Sequence, residues 1–463
     1  MKHDSISRRQ FGGVVLSSIV AGRGTINGWL GSPSQRPTPS PSQLTWQREE
    51  LALFLHFGVN TFTDREWGDG TESPSIFAPN ALDARQWARA AKAGGFKMMI
   101  LTAKHHDGFC LWPSATTPHT VAASPFRGGQ GDVVNEMVAA CRAENLRVGL
   151  YCSPWDRNSP VYGDSPRYND FFCDQLTELL TRYGKIDEVW FDGANGEGPN
   201  GRKQTYDWPR FWGLVRRLQP EAVMFSDAGP DVRWIGNERG SAGDTNWSTM
   251  NPEAVPYPGA DGPGIIAALQ NGDPNGTVWR PGETDVSIRP GWFYHPAEDD
   301  RVKTVENLVD LYFTSVGRNS KLLLNVPPTR AGLLHETDVA RLKGMRERLA
   351  MLDENQDLAR TRRPTWTSLG PRKSLREIDL GRDMTIQVID LREDIARGQM
   401  VSSYLVETKR SNADWTSASK GTTVGYKKLD RVAPTQARYV RLTVETLEPV
   451  ANPVQVRLYA LSS

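Results

Sequence analysis

Two carboxylic acids stand out because each follows an apolar run at the point where a strand would end. Asp192 closes the run Glu188-Val-Trp-Phe-Asp192, and Glu238 follows Arg233-Trp-Ile-Gly-Asn. Two carboxyl groups that face one cavity can hydrolyse a glycosidic bond, because one attacks or stabilises the anomeric carbon while the other donates and then withdraws a proton. An ion pair or a helix cap would explain either residue alone. Together they predict a hydrolytic site in which Asp192 is ionised and Glu238 carries the proton.

Histidine is scarce, with 7 residues, and three of them follow the first two predicted strands: His56, His105 and His106. Imidazole is a common metal ligand, so a metal site is one interpretation. Neighbouring residues of a strand point to opposite faces, which disfavours chelation of one ion by His105 and His106. We therefore expect no bound metal and predict hydrogen bonds from these histidines to sugar hydroxyls. Burial in the core is the alternative for His105 or His106 taken singly.

Twelve of the 15 tryptophans lie between residues 46 and 292, which indicates a large core, aromatic platforms for a sugar ring, or both. An indole face packs well on the apolar face of a sugar, so tryptophans in loops or at strand ends are candidate platforms. The candidate pocket residues are Glu66, Trp67, Tyr151, Trp155, Arg289 and Trp292. Tryptophans in helical or strand patterns are expected in the core, namely Trp87, Trp190, Trp208 and Trp212.

The elements that must position these residues are short apolar runs alternating with longer amphipathic stretches. The pattern predicts strands over 53–59, 98–103, 148–153, 188–192, 222–226, 233–237 and 321–326. It predicts helices over 83–93, 133–144, 169–183, 208–218, 302–316 and 336–352, with an irregular region over 245–276. About eight strands in about 300 residues favour a (β/α)₈ barrel, whose reactive residues sit at the carboxyl ends of its strands. No Gly-x-Gly-x-x-Gly follows the first strand, and we expect no cofactor.

After about residue 355 the pattern changes to alternating apolar and polar residues separated by turn residues. The alternation predicts strands over 374–380, 385–391, 399–406, 422–429, 437–445 and 454–460, which is typical of a β-sandwich of about 100 residues. The expected organisation is a leader and linker over 1–43, a barrel over 44–354 and an antiparallel β-sandwich over 355–463. The sandwich either binds sugar or supports the barrel, and we favour support.

The amino terminus carries Arg8-Arg9 before a short apolar run over 11–21, a pattern typical of a twin-arginine export signal. A chance arginine pair is the alternative. The run is about half the length needed to span a bilayer. The Pro- and Ser-rich stretch 32–42 is expected to be a linker. We therefore expect a periplasmic or secreted protein without a membrane span, whose folded part begins near Leu44.

The charge balance argues against a polyanionic partner. Lys and Arg number 55 and Asp and Glu 54, so the formal net charge is +1, whereas proteins that bind nucleic acid usually present a basic surface. The cysteines at 110, 141, 152 and 173 lack C-x-x-C spacing, and we expect them to be buried free thiols. Neither feature predicts the oligomeric state.

Five motifs occur in order along the first 350 residues. They are His56-Phe-Gly, Glu66-Trp-Gly, Ala103-Lys-His-His-Asp-Gly-Phe109, Trp190-Phe-Asp-Gly193 and Leu322-Leu-Leu-Asn-Val-Pro-Pro328. Together they resemble the α-L-fucosidases of glycoside hydrolase family 29. The resemblance implies a retaining double displacement on a fucosylated oligosaccharide or glycoconjugate, with Asp192 as the nucleophile. It also implies that the fucose hydroxyls are held by His56, Glu66, Trp67, His105 and His106.

The acid/base is implied by a further segment. Arg233-Trp-Ile-Gly-Asn-Glu-Arg-Gly240 resembles the pattern of the subfamily that prefers branched α-1,3- or α-1,4-linked fucose, in which the glutamate at Glu238 would be the acid/base. Glu283 is the second candidate. Retention predicts that the carboxyl groups of Asp192 and Glu238 lie roughly 5–5.5 Å apart. A broad fucosidase acting on α-1,2 or α-1,6 links and an inactive fucose-binding protein are the alternatives.

Overall fold

The computed structural model describes residues 36–362 and 364–461, so the predicted export signal lies outside the described residues. Within them, eight parallel strands form one sheet, with the hydrogen-bonded order β5-β4-β3-β2-β1-β8-β7-β6. The strands are β1 (Leu51–Leu55), β2 (Met98–Lys104), β3 (Arg147–Cys152), β4 (Glu188–Trp190), β5 (Val223–Phe225), β6 (Arg233–Trp234), β7 (Gly282–Ser287) and β8 (Ser320–Asn325). A parallel bridge between Phe225 and Val232 joins β5 to the residue before β6. The sheet is therefore a nearly closed barrel, as the alternating pattern predicts.

Helices cover the outside of the barrel, and acidic residues begin several of them. Asp83 accepts a hydrogen bond from the Arg85 amide and Asp132 one from the Asn135 amide, which satisfies backbone donors in the first turn of each helix. The helices are α1 (Pro41–Arg48), α2 (Val59–Thr63), α3 (Ala84–Ala93), α4 (Val133–Ala143), α5 (Ser165–Arg182), α6 (Trp208–Leu218), α7 (Pro263–Asn271), α8 (Val305–Thr314) and α9 (Glu336–Leu349). No helix within residues 36–362 and 364–461 has the length and apolar character needed to cross a membrane.

Helix α1 begins within the expected linker 32–42, a few residues before the expected start of the folded part near Leu44. Ser40 and Gln43 form a reciprocal capping box, and Pro41 occupies the first turn, where it needs no amide partner. The buried Trp46 indole donates to Glu188 Oε2 at 2.8 Å, at the amino end of β4. Arg36 Nε donates to the Gln399 carbonyl at 3.2 Å. The chain is therefore held against the fold at Arg36 and along α1, and α1 covers the base of the barrel.

Strand β7 is the one barrel strand for which the sequence pattern assigns no residues. Its sequence, Gly-Glu-Thr-Asp-Val-Ser, is mostly polar, yet every residue is buried. Neighbouring groups satisfy these side chains: Thr284 pairs with the Ser320 hydroxyl at 2.6 Å, and Asp285 accepts from the Trp234 indole at 2.8 Å. An apolar-run criterion cannot find such a strand, because hydrogen bonds offset the cost of burying its polar groups.

The carboxyl-terminal part is an antiparallel sheet assembly with its own core. Its strands are β9 (Thr367–Gly370), β10 (Lys373–Arg392), β11 (Val401–Lys409), β12 (Thr416–Gly421), β13 (Lys428–Thr446) and β14 (Gln455–Tyr459). The order is β9-β10-β13-β11-β12, and β14 pairs with β10. Two predicted strands, 374–380 and 385–391, are one continuous strand, because Gly381 with φ +84° lets it turn without ending. The segment predicted as a strand over 422–429 is instead mostly the connection between β12 and β13.

Polar side chains join this second part to the barrel. Lys427 pairs with Glu50, the residue before β1, and its Nζ lies 2.9 Å from the Tyr312 hydroxyl. Asn319 donates to Gln399 Oε1 at 3.2 Å, and the Ser248 amide donates to the same oxygen at 2.7 Å. These contacts support a bracing role for the sandwich.

The four cysteines are buried and free, as predicted.

Candidate active site

Asp192 lies two residues after β4, at the mouth formed by the carboxyl ends of the strands. The Tyr151 hydroxyl, from β3, donates to Asp192 Oδ2 at 2.9 Å, and the Ala194 amide donates to Oδ1 at 2.8 Å. His106 Nε2 lies 3.8 Å from the same Oδ2. Donors on both oxygens stabilise a negative charge and fix the orientation of the carboxylate.

Glu238 lies in the loop after β6 and faces the same mouth. Burial, reinforced by the negative charges of Asp192 and Glu66, raises the pKa of Glu238, and a hydrogen bond from Trp292 Nε1 at 3.3 Å opposes this shift. A glutamate with a raised pKa keeps its proton to a higher pH, as a general acid must. The two carboxyl groups therefore lie in different surroundings, as a nucleophile and a general acid require.

The three predicted histidines line this mouth, and burial lowers the pKa of each. The pKa of His56 falls to about 3, although Nδ1 lies 2.9 Å from Asn325 Oδ1. His106 Nδ1 lies 2.7 Å from the Ser153 hydroxyl, whereas the buried His105 Nδ1 has no hydrogen-bond partner in the described chain. Neutral imidazoles of this kind can accept from, or donate to, hydroxyl groups of a bound sugar.

His105 and His106 do not face opposite sides, contrary to the expectation from strand alternation. Their ring centroids lie 4.1 Å apart, because both residues follow Lys104, the last residue of β2, where the alternation ends. Even so, across residues 36–362 and 364–461 no group of three or more His, Cys, Asp or Glu side chains is arranged to hold a metal ion.

Three of the predicted platform tryptophans surround the histidines. Trp67 is 57% exposed and meets Trp155 edge-on at 5.8 Å between ring centroids, and Trp155 lies 4.8 Å from His106. On the other side, the Trp292 ring lies 5.1 Å from His56. Trp190, expected in the core, is buried and stacks on Phe225 at 3.9 Å. The mouth is thus a polar pocket with aromatic walls, which suits a small neutral sugar.

Glu66 ties two loops of the mouth together, in addition to the contact with fucose that the sequence predicts. Its Oε2 accepts from the Trp292 amide at 2.9 Å, and its Oε1 accepts from the Phe293 amide at 3.3 Å and lies 2.7 Å from His295 Nε2. The loop after α2 is thereby tied to the loop after β7. One acceptor position on Oε2 remains for a further donor, such as a sugar hydroxyl.

Two predicted site residues, Arg289 and Glu283, do not line the mouth. Arg289 is buried with its guanidinium on Asp338 Oδ2 at 2.9 Å and on Asp299 Oδ1 at 2.8 Å, so it anchors α9 to the loop and does not line the pocket. Glu283, the second acid candidate, is fully buried near the amino end of β7, where Trp190 Nε1 lies 3.2 Å from its Oε2.

A comparison with known proteins bears directly on this pocket. The family model "Alpha-L-fucosidase" matches residues 46–354, and the model "F5/8 type C domain" matches residues 343–457. Among curated relatives, "Putative alpha-L-fucosidase 1" of Oryza sativa subsp. japonica is 46% identical over 435 residues, which is 88% of this chain and 82% of that protein. "Alpha-L-fucosidase 1" of Arabidopsis thaliana is 43% identical, over 88% of this chain and 85% of that one.

The chain belongs to the α-L-fucosidase family, glycoside hydrolase family 29.

Solved structures agree in fold. A glycoside hydrolase family 29 fucosidase of Ruminococcus gnavus in complex with fucose is 32% identical, with a TM-score of 0.85 over 94% of this chain and 98% of that chain. The putative α-L-fucosidase of Bacteroides ovatus is 46% identical, with a TM-score of 0.78 over 92% and 74%. The protein is therefore an α-L-fucosidase, a retaining glycoside hydrolase that hydrolyses fucose from a fucosylated substrate.

Sequence reasoning missed two carboxylic acids beside the site of this fucosidase. Asp227, two residues after β5, accepts from the Gly259 amide at 2.7 Å, and burial with the nearby Asp192 charge raises the pKa of Asp227 to about 7. Burial, with the Glu238 charge, raises the pKa of Asp285 well above its ordinary value. The strand-end rule could have found Asp227. Asp285 lies inside the unassigned strand β7 and gave no such signal.

Proposed function

We propose that this fucosidase removes terminal α-1,3- or α-1,4-linked L-fucose from branched glycans through a covalent fucosyl-enzyme. The observation that carries the proposal is the contrast between two carboxyl groups at one mouth. Asp192 is held by donors on both oxygens, whereas the Glu238 carboxyl, in the loop after β6, has a pKa raised by partial desolvation and by the nearby Asp192 charge. Nucleophile and acid need these two different settings.

In the first step, Asp192 forms a bond to the anomeric carbon as the glycosidic C–O bond breaks, and Glu238 gives its proton to the departing oxygen. In the second step, the Glu238 carboxylate takes a proton from water, whose oxygen bonds to the anomeric carbon and releases Asp192. Two inversions give net retention, and the mechanism predicts a carboxyl separation of roughly 5–5.5 Å. The sugar would be held by seven side chains around this mouth, namely His56, Glu66, Trp67, His105, His106, Tyr151 and Trp155.

The segment around Gly259 supports a site for the rest of the glycan. A Cβ at Gly259 would lie 2.2 Å from the Gly193 carbonyl oxygen, so this backbone approaches the residue after Asp192 as closely as only glycine allows. Two residues earlier, Tyr257 is 58% exposed, which is unusual for a large aromatic side chain. We assign this part of the irregular region as a wall for the leaving sugar.

Product analysis on fucosylated oligosaccharides tests the linkage. We expect kcat/KM for a Lewis-type trisaccharide to exceed that for a simple aryl fucoside and for α-1,2- or α-1,6-linked substrates. Tyr257→Ala should lower kcat/KM for the trisaccharide by about three- to tenfold, the magnitude of one aromatic contact, and lower it less for the aryl fucoside. Equal action on all four substrates would support the broad enzyme instead.

We also propose export by a twin-arginine route, on the basis of Arg8-Arg9 and the short apolar run after them. Changing both arginines to lysine should leave the full-length protein in the cytoplasmic fraction of its host. Fractionation with an activity assay measures this, and unchanged export of the double variant would reject the proposal.

A further inference from the structure

Two loops at the mouth are joined by one histidine. His295 Nδ1 lies 2.9 Å from Asp64 Oδ1, and His295 Nε2 lies 2.7 Å from Glu66 Oε1. Asp64 and Glu66 belong to the loop after α2, whereas His295 follows β7. We call these three residues the clasp.

The chemistry of the clasp requires a charged histidine. An ionised carboxylate only accepts hydrogen bonds, so an imidazole between two carboxylates satisfies both only when each ring nitrogen carries a proton. The third acid nearby is Glu298, in the turn that follows His295, and Arg330 faces the clasp from the other side, 3.5 Å from Asp64 Oδ1. Burial lowers the pKa of His295, but the hydrogen bonds to Asp64 and Glu66 outweigh it and raise the pKa overall.

Glu66 connects the clasp to the acid/base candidate. The same carboxylate that meets His295 accepts from the backbone amides of Trp292 and Phe293, and the Trp292 indole donates to Glu238 Oε2 at 3.3 Å. A Cβ at Gly291 would lie 2.2 Å from Glu66 Oε1, so the loop can approach Glu66 in this way only with glycine there. The position of Trp292 therefore depends on a fixed Glu66.

We propose that His295 is a positioning residue whose imidazolium ion, shared by Asp64 and Glu66, holds the Trp292 wall and Glu66 in place for fucose binding. The inference rests on the proposed roles of Glu66 and Glu238. When His295 loses a proton, one ring nitrogen presents a lone pair to a carboxylate oxygen less than 3 Å away. The resulting repulsion opens the clasp, so the affinity for fucose falls as the pH rises through the His295 pKa.

The test is KM as a function of pH with an aryl fucoside, a substrate that depends on fucose binding but not on the linkage. In the parent enzyme we expect KM to rise about tenfold from neutral to alkaline pH, while kcat reports chiefly on Glu238. His295→Gln, which donates to one carboxylate only, should show the raised KM at every pH. His335→Gln is the matched control, because His335 faces Asp299 at 3.6 Å and contacts neither Glu66 nor Trp292.

Asp64→Asn is the decisive variant. Its amide can donate to Nδ1 of a neutral imidazole while Nε2–H donates to Glu66, so the clasp would no longer need a proton. We expect a KM near that of the parent at neutral pH and no alkaline rise. A KM–pH profile of Asp64→Asn or His295→Gln that parallels the parent would overturn the inference. Failure of the linkage proposal would appear separately, in the oligosaccharide panel.

Discussion

The two ends of the barrel each hold a pair of carboxyl groups, and only one pair is equipped for chemistry. At the mouth, Asp192 is bound by a hydroxyl and an amide, and Glu238 is a separate acid beside an indole. At the base, Glu188 and Glu283 are fully buried and close enough for the charge of Glu188 to act on Glu283. The Trp46 indole donates to the first and the Trp190 indole to the second.

The difference lies in what surrounds each pair. At the base, burial and the repulsion from the Glu188 carboxylate raise the pKa of Glu283 well above its ordinary value. Lys321 Nζ, 3.9 Å from Glu188 Oε2, balances the remaining charge, and α1 covers the layer. At the mouth, the side chains are open to a ligand, and their hydrogen-bond partners differ: a hydroxyl and an amide at Asp192, an indole at Glu238. Paired carboxyl groups thus indicate an active site only where a substrate can reach both.

The sharpest test of this contrast is Asp192→Asn. The amide cannot form the glycosyl ester, so we expect kcat to fall on the order of 10⁴-fold, while fucose still binds. Initial rates and a fucose titration measure the two effects, and the midpoint of thermal unfolding should match the parent. Unchanged turnover would remove Asp192 from the mechanism.

The second test compares a glutamate-to-glutamine change at the mouth, at Glu238, with the same change at the base, at Glu283. Glu238→Gln should lower kcat about 10²- to 10³-fold for a glycan, because the leaving oxygen no longer receives a proton. The acid is active when protonated, so in the parent kcat falls as pH rises through the raised Glu238 pKa, and this limb should vanish in the variant. Glu283→Gln is the matched control and should keep kcat within about threefold. The reverse ranking of the two variants would make Glu283 the acid.

The same contrast shows how far sequence reasoning reaches. Apolar runs predict seven of the barrel strands, and motifs such as Lys-His-His-Asp-Gly-Phe point to the histidines at the mouth. The apolar-run criterion does not find strand β7, because polar side chains such as Thr284 and Asp285 are paired with groups distant in sequence, on Ser320 and Trp234. In the sequence, Arg289 looks like a pocket residue and Glu283 like a candidate acid, because their neighbours Asp338 and Glu188 are revealed only by the fold.

A third prediction concerns stability at the base. Lys321 is buried, with its Nζ 3.4 Å from Glu49 Oε2 and 4.8 Å from the centre of the Trp46 ring. Lys321→Met keeps the volume but leaves buried negative charge uncompensated, so the free energy of unfolding should fall by about 3–5 kcal/mol. Denaturant unfolding at neutral pH measures it. Lys343→Met, at an exposed pair on α9, should change stability by less than about 1 kcal/mol, and an equal loss in both variants would contradict the role of Lys321.

The last prediction concerns the pH dependence of stability in Glu283→Gln. The folded-state pKa of Glu283 lies above its unfolded value, so the folded protein holds a proton that the unfolded chain releases. This contribution to stability is complete below the ordinary glutamate pKa of about 4.3 and is lost as pH rises toward the raised value. An amide does not titrate, so the variant should match the parent near pH 4 and become the more stable of the two proteins as the pH rises. Unfolding curves across that range measure the difference. A constant offset between the two proteins would mean that folding leaves the Glu283 pKa unchanged, which would contradict the effect of burial and of the Glu188 charge at the base.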